Sequence, residues 1–454
     1  MRLTPRSSRW VITAVLFSVV GTSSAPAWSL DLMQAYQAAL EQDPKIRAAR
    51  AARDAAAERL PQARSQLLPN VSANVGRYDN NVDVTQQNAL GRDVTSSDRY
   101  FSYNQTLQLR QPLFRKPLMD GLRQANSVVA DAQATLDSEL QDVGSRVAAA
   151  YLEALLAQDA LELARKKKEV TTIQLDAARK SLAAGSGTRT DIDEAQARLD
   201  MDEANVLSAR QQVDLTTRQL EVLTHQPATD LARVDTQRLE LMPPQPADLQ
   251  YWVQQAEDNS PEIRALKARV ETAQAEIDKA EGAHYPTVDA IAQITRSGSE
   301  NINFPRSKNT NRMVGIQISV PLFSGGYVTS TVRQAVAEHV RTKENLEAVR
   351  RDLAVRVHRE YRGVTEGVLK VRALEQAVKS GNQLVTSSRR SFEVGSRTMV
   401  DVLNAEQQLQ IAQRDLAEAR YVYLASRVRL NALVGNPIDD TVRQVNAWLI
   451  ASPQ

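Results

Sequence analysis

The feature that most constrains this chain is that it is written twice. The stretch "DLMQAYQAALEQDPKIRAA" from Asp31 aligns with "DLQYWVQQAEDNSPEIRAL" from Asp248 at an offset of 217 residues. That offset carries Pro44 onto Pro261, Ile46 onto Ile263 and Pro69 onto Pro286. Pro112-Leu113-Phe114 falls on Pro321-Leu322-Phe323 at an offset of 209. At an offset of 210, Gly185, Ser186, Thr188, Asp191 and Ala195 meet Gly395, Ser396, Thr398, Asp401 and Ala405, and Pro227 meets Pro437. Chance does not give so many matches in one order, so the sequence reads as a tandem duplication. The repeats span residues 28–227 and 248–437, joined by a linker at 228–247 and followed by a tail at 438–454.

Each half has the same grammar. A helix is expected from Asp31 to Leu68, and from Asp248 to His284 in the second copy. Two strands follow, then a long helix from Leu118 to Ala184 (Tyr327 to Glu393). A Gly-Ser break leads to a shorter helix from Thr190 to Leu223 (Val400 to Leu433). No proline occurs between Pro117 and Pro227, or between Pro321 and Pro437, which suits very long helices. Leu122, Ala125, Val129, Ala132, Leu136, Leu140, Val143 and Val147 recur by threes and fours, a narrow stripe suited to helix-on-helix seams. The strands alternate with period two. Phe101, Tyr103, Leu107 and Leu109 oppose Ser102, Asn104, Thr106, Gln108 and Arg110, and Val314, Ile316, Ile318 and Val320 oppose Gly315, Gln317 and Ser319. Each strand reads as about ten residues, the length of a tilted membrane-spanning β-strand, although a soluble hairpin packed on helices would show the same alternation.

The N-terminus favours the membrane reading. Arg2, Arg6 and Arg9 precede the apolar run Trp10–Val20, and Ala25-Pro26-Ala27 supplies a small-residue cleavage pattern, so residues 1–27 read as a signal peptide. Its removal leaves 53 basic against 54 acidic residues, a balance that gives no basis for nucleic-acid binding. The absence of cysteine excludes disulfides, cysteine metal sites and a lipid anchor. No other segment is apolar over the roughly 20 residues a transmembrane helix requires.

Four strands cannot close a barrel, and an open sheet edge cannot sit in lipid, where unpaired backbone groups find no water. Copies must pool their strands. Two copies would give eight strands and no bore, whereas three give twelve and room for a channel. Pro69, Pro112, Pro286 and Pro321 mark junctions between strand and helix, because proline cannot donate to a sheet ladder. The expected fold is therefore mainly α with a membrane β-barrel. Twelve strands from a trimer are continued by a long helical barrel, its long helices roughly 100 Å at 1.5 Å per residue.

The most specific stretches are "DLMQAYQAALEQDP", "QARSQLLPNVSA", "ISVPLFSGG" and "FEVGSRTMVDVLNAEQQL", and with them the whole mature chain resembles the TolC-like outer-membrane channel-tunnels. The resemblance implies a homotrimer in the outer membrane of a Gram-negative bacterium, reaching into the periplasm. It implies an equatorial collar to which the linker and the tail contribute. It also implies a role as exit duct of a tripartite machine for type I secretion or multidrug efflux. Its partners would be a periplasmic adaptor (membrane fusion) protein, an inner-membrane ABC or proton-driven transporter, and outer-membrane lipid. The alternative is a secreted or periplasmic helical scaffold or adaptor without a channel, which would leave the alternating strands unexplained.

No enzyme constellation or cofactor is expected: His225, His284, His339 and His358 lack metal-ligand spacing, and no nucleophile elbow occurs. The polar residues singled out lie at the breaks between long and short helices. The resemblance implies a closed periplasmic entrance there, with Arg397 linked to Thr190, Asp191 and Gln174, and an acidic ring formed by Asp401. Asn404, one turn on, stands where a second aspartate is found in the family's namesake, and Phe392 where a tyrosine is common. The competing reading of Asp191 and Asp401 is helix capping.

Overall fold

The computed structural model of the chain describes residues 29–301 and 304–450. The expected signal peptide lies outside them, as do the last four residues of the tail. The first half runs α1 (Leu32–Gln42), α2 (Pro44–Ala57), α3 (Arg59–Ser65), β1 (Asn70–Gln87), β2 (Asp93–Phe114), α4 (Lys116–Ala183) and α5 (Arg189–Thr224). A short β3 (Arg233–Val234) lies in the linker. The second half runs α6 (Leu249–Asn259), α7 (Pro261–Gly282), β4 (Thr287–Asn301), β5 (Phe304–Ser319), α8 (Tyr327–Glu393) and α9 (Met399–Leu433). The chain then adds α10 (Ile438–Asn446) and β6 (Leu449–Ile450).

Two expectations are corrected. The helix expected from Asp31 to Leu68 is broken: Asp43 leaves helical geometry, its carboxylate accepts from the Lys45 amide at 2.7 Å, and Pro44 opens α2. Proline at a helix's first position costs nothing, because the amide it lacks has no intrahelical partner there. Pro261 divides α6 from α7 in the same way. The strands are also longer than ten residues, from 15 in β4 to 22 in β2. Polar alternation such as Asp79, Asn81, Asp83 and Thr85 continues the β1–β2 ladder until the turn at Asn88, where Gly91 takes φ +73°. Side-chain pairs such as Arg99–Asp79 and Thr85–Thr95 tie that extension across the two strands.

All four long strands form one antiparallel sheet in the order β1-β2-β4-β5. Register sorts its two faces. One carries rows such as Val71–Leu109–Ala292–Val314 and the other rows such as Asn74–Thr106–Thr295–Asn311. Both outer strands, β1 and β5, have a neighbour on one side only.

One residue, Arg115, separates β2 from α4, and residues 320–326 separate β5 from α8. α4 has 68 residues and α8 has 67, so each extends roughly 100 Å. α5 folds back along α4 and α9 along α8, while α7 lies between the upper parts of the two long helices and α9 also touches α4. Among the described residues no helix is long and apolar enough to cross a membrane. The main core sits half-way down. Val143, Val147, Tyr151 and Leu155 of α4 meet Val357 and Val364 of α8, Tyr423 and Val428 of α9, and the short helices α1, α6 and α10. At Gly144 a Cβ would lie 2.3 Å from Ile438 Cγ1, so only glycine lets α10 approach α4. The linker and the tail meet here, because β3 pairs with β6 through Arg233–Ile450 and Val234–Leu449. Tyr423, fully buried, exchanges hydrogen bonds through its hydroxyl with both the amide and the carbonyl of Met242 in the linker.

Candidate functional site

The ends of the two helical hairpins, furthest from the sheet, share one local design. α4 ends on Gly185 (φ +75°) and α8 closes on Gly395 (φ +77°), the left-handed conformation that glycine adopts without a Cβ penalty. The amides of Ser186 and Ser396 return to the carbonyls of Ser181 and Ser391 and satisfy the last turns. Thr188 and Thr398 then open α5 and α9. The Thr188 hydroxyl lies 2.7 Å from Asp191 Oδ2 and receives the Asp191 amide at 3.2 Å; in the second hairpin the corresponding distances for Thr398 and Asp401 are 2.8 and 3.3 Å. Both aspartates are thus members of capping boxes.

Within one chain these contacts hold the Asp401 carboxyl below the usual carboxylate range. The Thr398 backbone bond contributes most, then the Thr398 hydroxyl, with Arg397 adding attraction. The direction is opposite to the rise expected where like charges converge.

Arg397 donates from Nη1 to Ser388 Oγ at 3.0 Å, on α8 of its own hairpin, and Ser388 is fully buried. The single chain does not bring Arg397 to Thr190 or Asp191, which lie in the first turn of α5 on the other hairpin. Gln174 does cross between hairpins: its amide donates to Glu406 Oε2 of α9 at 2.5 Å. Glu406 Oε1 also receives Arg389 of α8 at 2.6 and 3.1 Å. Asn404 Oδ1 accepts from Arg198 of α5 at 3.4 Å, a longer second crossing.

At the other end, Pro69 and Pro286 immediately precede β1 and β4, Pro112 sits at a register shift near the end of β2, and Pro321 follows β5 by two residues. A cluster that sequence reading missed anchors this joint. Asp289 of β4, 2% exposed, accepts from Arg110 of β2 at 2.6 Å and from Arg115, the residue between β2 and α4, at 2.6 and 2.9 Å. One turn into α4, fully buried Asp120 receives Lys116 at 2.6 Å and is also bonded by Arg123.

The profile of the family described as "Outer membrane efflux protein" matches residues 35–224 and 252–436, most of the chain. The chain belongs to that family. Among similar proteins, the alkaline protease secretion protein AprF of Pseudomonas aeruginosa is 34% identical over 413 residues, covering 90% of this chain and 85% of the relative. The proteases secretion protein PrtF of Dickeya chrysanthemi is 30% identical over 443 residues, 97% of this chain and 96% of the relative. The outer membrane protein VceC of Vibrio cholerae superposes with a TM-score of 0.77 over 90% of this chain and 96% of that one; at 20% identity the match speaks for the fold. The protein is a TolC-like outer-membrane exit duct of the Gram-negative envelope, a member of a family of channel and transport proteins.

Proposed function

We propose that three copies join β1 of one chain to β5 of the next and close a twelve-stranded barrel, continued by a tunnel of helices into the periplasm. The observation that carries this is the sheet itself. It has one apolar face, one polar face and two open edges, and β2 leads through the single residue Arg115 into a helix of roughly 100 Å. An open edge is untenable in hydrocarbon, so the apolar face can meet lipid only in a closed assembly. Twelve strands leave a bore lined by residues such as Gln108, Gln293, Thr106 and Thr295. Corresponding elements of near-equal length, α4 with α8 and α5 with α9, support descent from a tandem duplication. The Ala25-Pro26-Ala27 pattern supports export with signal-peptide cleavage after Ala27.

The duct is passive, and its periplasmic end is closed by the hairpin tips. Arg397 spends one donor on Ser388, and a guanidinium has five. The others serve Thr190 and Asp191 of the neighbouring chain, and Asp401 faces the axis as a ring. The printed names of AprF and PrtF concern protease secretion, which supports a protein cargo for this chain. Cargo reaches the duct from an inner-membrane transporter through a periplasmic adaptor. The test expresses the gene with its neighbouring transporter and adaptor genes in a host lacking its own duct, and measures secreted protein in the medium. Secretion should require all three. Loss on disabling the transporter's nucleotide-binding lysine marks an ABC engine, and loss on collapsing the proton gradient marks a proton-driven one. Secretion unaffected by deletion of this gene would overturn the proposal.

A further inference from the structure

We infer, on the duct reading above, that Arg77, Arg296, Lys308 and Arg312 form a basic belt on the lipid-facing side of the sheet. The belt binds phosphate-bearing headgroups of outer-leaflet lipid at the seams between chains. Register puts all four on the face that carries the row Val71–Leu109–Ala292–Val314. Arg312 shares a row with Ala73, Arg296 one with Val75, and Arg77 one with Tyr103, Gly298 and Lys308.

The strands are staggered, so height is counted from the end of each strand nearest the helices. Arg77 is the eighth residue of β1, Arg296 the tenth of β4, Arg312 the eighth from the end of β5 and Lys308 the twelfth. At about 3.3 Å per residue and a tilt of about 45°, they stand roughly 16–26 Å above the helix end of the sheet. The apolar band of an outer-membrane barrel is about 25 Å tall, so the four surround its outer edge. Below them the face is apolar, with Val314, Ile316, Ile318 and Val320 between 56% and 86% exposed. Cations are costly in the middle of such a band and tolerated at its edge, where long side chains reach the headgroups.

The belt has no protein anions of its own. Among the described residues none of the four is paired with a carboxylate, whereas Arg99 is taken by Asp79 and Arg110, on the other face, by Asp289. Asp83 is bonded by Ser97, and Asp93 and Glu300 lie at the hairpin ends. Two aromatic rings shape the surface. The Arg77 guanidinium lies 4.8 Å from the centroid of the Phe101 ring. The Tyr103 ring reaches across Gly298 toward Lys308, where any Cβ would collide with it. In the proposed trimer β5 of one chain adjoins β1 of the next, which brings Arg312 and Arg77 to one level across each seam. No single chain assembles that cluster. Phosphate is the fitting anion, because a guanidinium grips its oxygens two at a time, and the apolar face beneath covers acyl chains.

Native mass spectrometry of the detergent-solubilised protein tests this, titrated with lipid A, a diphosphorylated glycolipid, or with phosphatidylcholine, whose headgroup has no net charge. Lipid A should bind the trimer about tenfold or more tightly than phosphatidylcholine. Combining Arg77→Gln, Arg296→Gln, Lys308→Gln and Arg312→Gln should weaken lipid A binding by about tenfold or more. The milder pair Lys308→Gln and Arg312→Gln, confined to one strand, should weaken it by about threefold. A control removes four exposed cations from the helices, Lys45→Gln, Lys343→Gln, Lys370→Gln and Lys379→Gln, and should bind as wild type does. Wild-type binding in both sheet variants, or an equal loss in the helix control, would overturn the belt. Displacement of lipid A by an equal concentration of inorganic phosphate would make it a site for free anions and overturn the lipid assignment. A wild-type spectrum of monomers alone would overturn the duct reading, and the seams with it.

Discussion

Replacing Asp289 by alanine should uncouple the sheet from the helices. The carboxylate is 2% exposed and accepts four hydrogen bonds, at 2.6 and 3.1 Å from Arg110 and at 2.6 and 2.9 Å from Arg115. Breaking a fully buried ion pair costs about 3–5 kcal/mol, because the remaining charge is stranded. Here the stranded arginines are 45% and 27% exposed and regain water, which brings the expected loss down to about 2–3 kcal/mol per chain. Arg115, the less exposed of the two and the residue that leads into α4, should account for more of it than Arg110. The assay is urea unfolding of the reconstituted protein, followed by the band shift between folded and unfolded forms on cold detergent gels. Asp289→Ala should lower the midpoint with an unchanged slope, Arg115→Met should lower it by more than Arg110→Met, and Asp289→Asn should fall between wild type and alanine. A shift worth less than about 0.5 kcal/mol, the size of an ordinary surface substitution, would refute the assignment of Asp289 as the joint's anchor.

Asp401→Asn should abolish block of the channel by a trivalent cation at a modest cost to helix stability, because asparagine keeps an oxygen for the Thr398 amide but loses the charge that a helix N-terminus favours; equal block in both proteins would leave Asp401 as a capping-box residue alone. Its single-chain contacts hold the Asp401 carboxyl low, so the stability it contributes is complete above the unfolded aspartate value of about 3.9 and fades as pH falls through the lower folded value. Block that persists at pH 5 would follow from those contacts, whereas block lost by pH 5 would mean that repulsion in the ring outweighs them. Asp159, bonded to the Tyr421 hydroxyl at 2.6 Å, has its carboxyl raised mainly by burial. The sign is therefore reversed: its ionised form opposes folding above the unfolded value, and stability is gained as pH falls through the raised folded value. Asp159→Asn should remove that gain in thermal melts taken across pH 4–7. Tyr421→Phe at pH 7 should cost about 1.5–3 kcal/mol, the range for a hydrogen bond to a charged group.

What could be read in the sequence followed from local chemistry. The turns announce themselves through glycine, serine and a capping threonine with its aspartate, and the bounds of α8 and α9 fall within a residue of expectation. The first helix divides in two because Asp43 and Pro44 form a cap that a continuous apolar pattern hides. The strands outrun the expected ten residues because the outer ends of β1 and β2 alternate between polar residues, which carry no apolar signal. Asp289 with Arg110 and Arg115 was invisible because its partners lie 179 and 174 residues away. Glu406 lies inside the most specific stretch, where the threonine and aspartate of the capping box are the stronger local signal. Its mirror placement with Arg389 across the turn, repeated by Arg179 and Gln196, was the available signal. α10 escaped because the tail has too few residues for a helical period to show.

The central claim is that β1 and β5 are joined between chains. Asn74 in β1 and Gly315 in β5 lie on strands with one free edge each, and neither strand has a cysteine to interfere. The double variant Asn74→Cys, Gly315→Cys, treated in isolated outer membranes with a flexible bis-maleimide and denatured, gives the most direct measurement. The account predicts a ladder of one, two and three linked chains, a closed three-chain ring among the products, and no band above three. Bands at one chain only, or a ladder continuing past three, would contradict it.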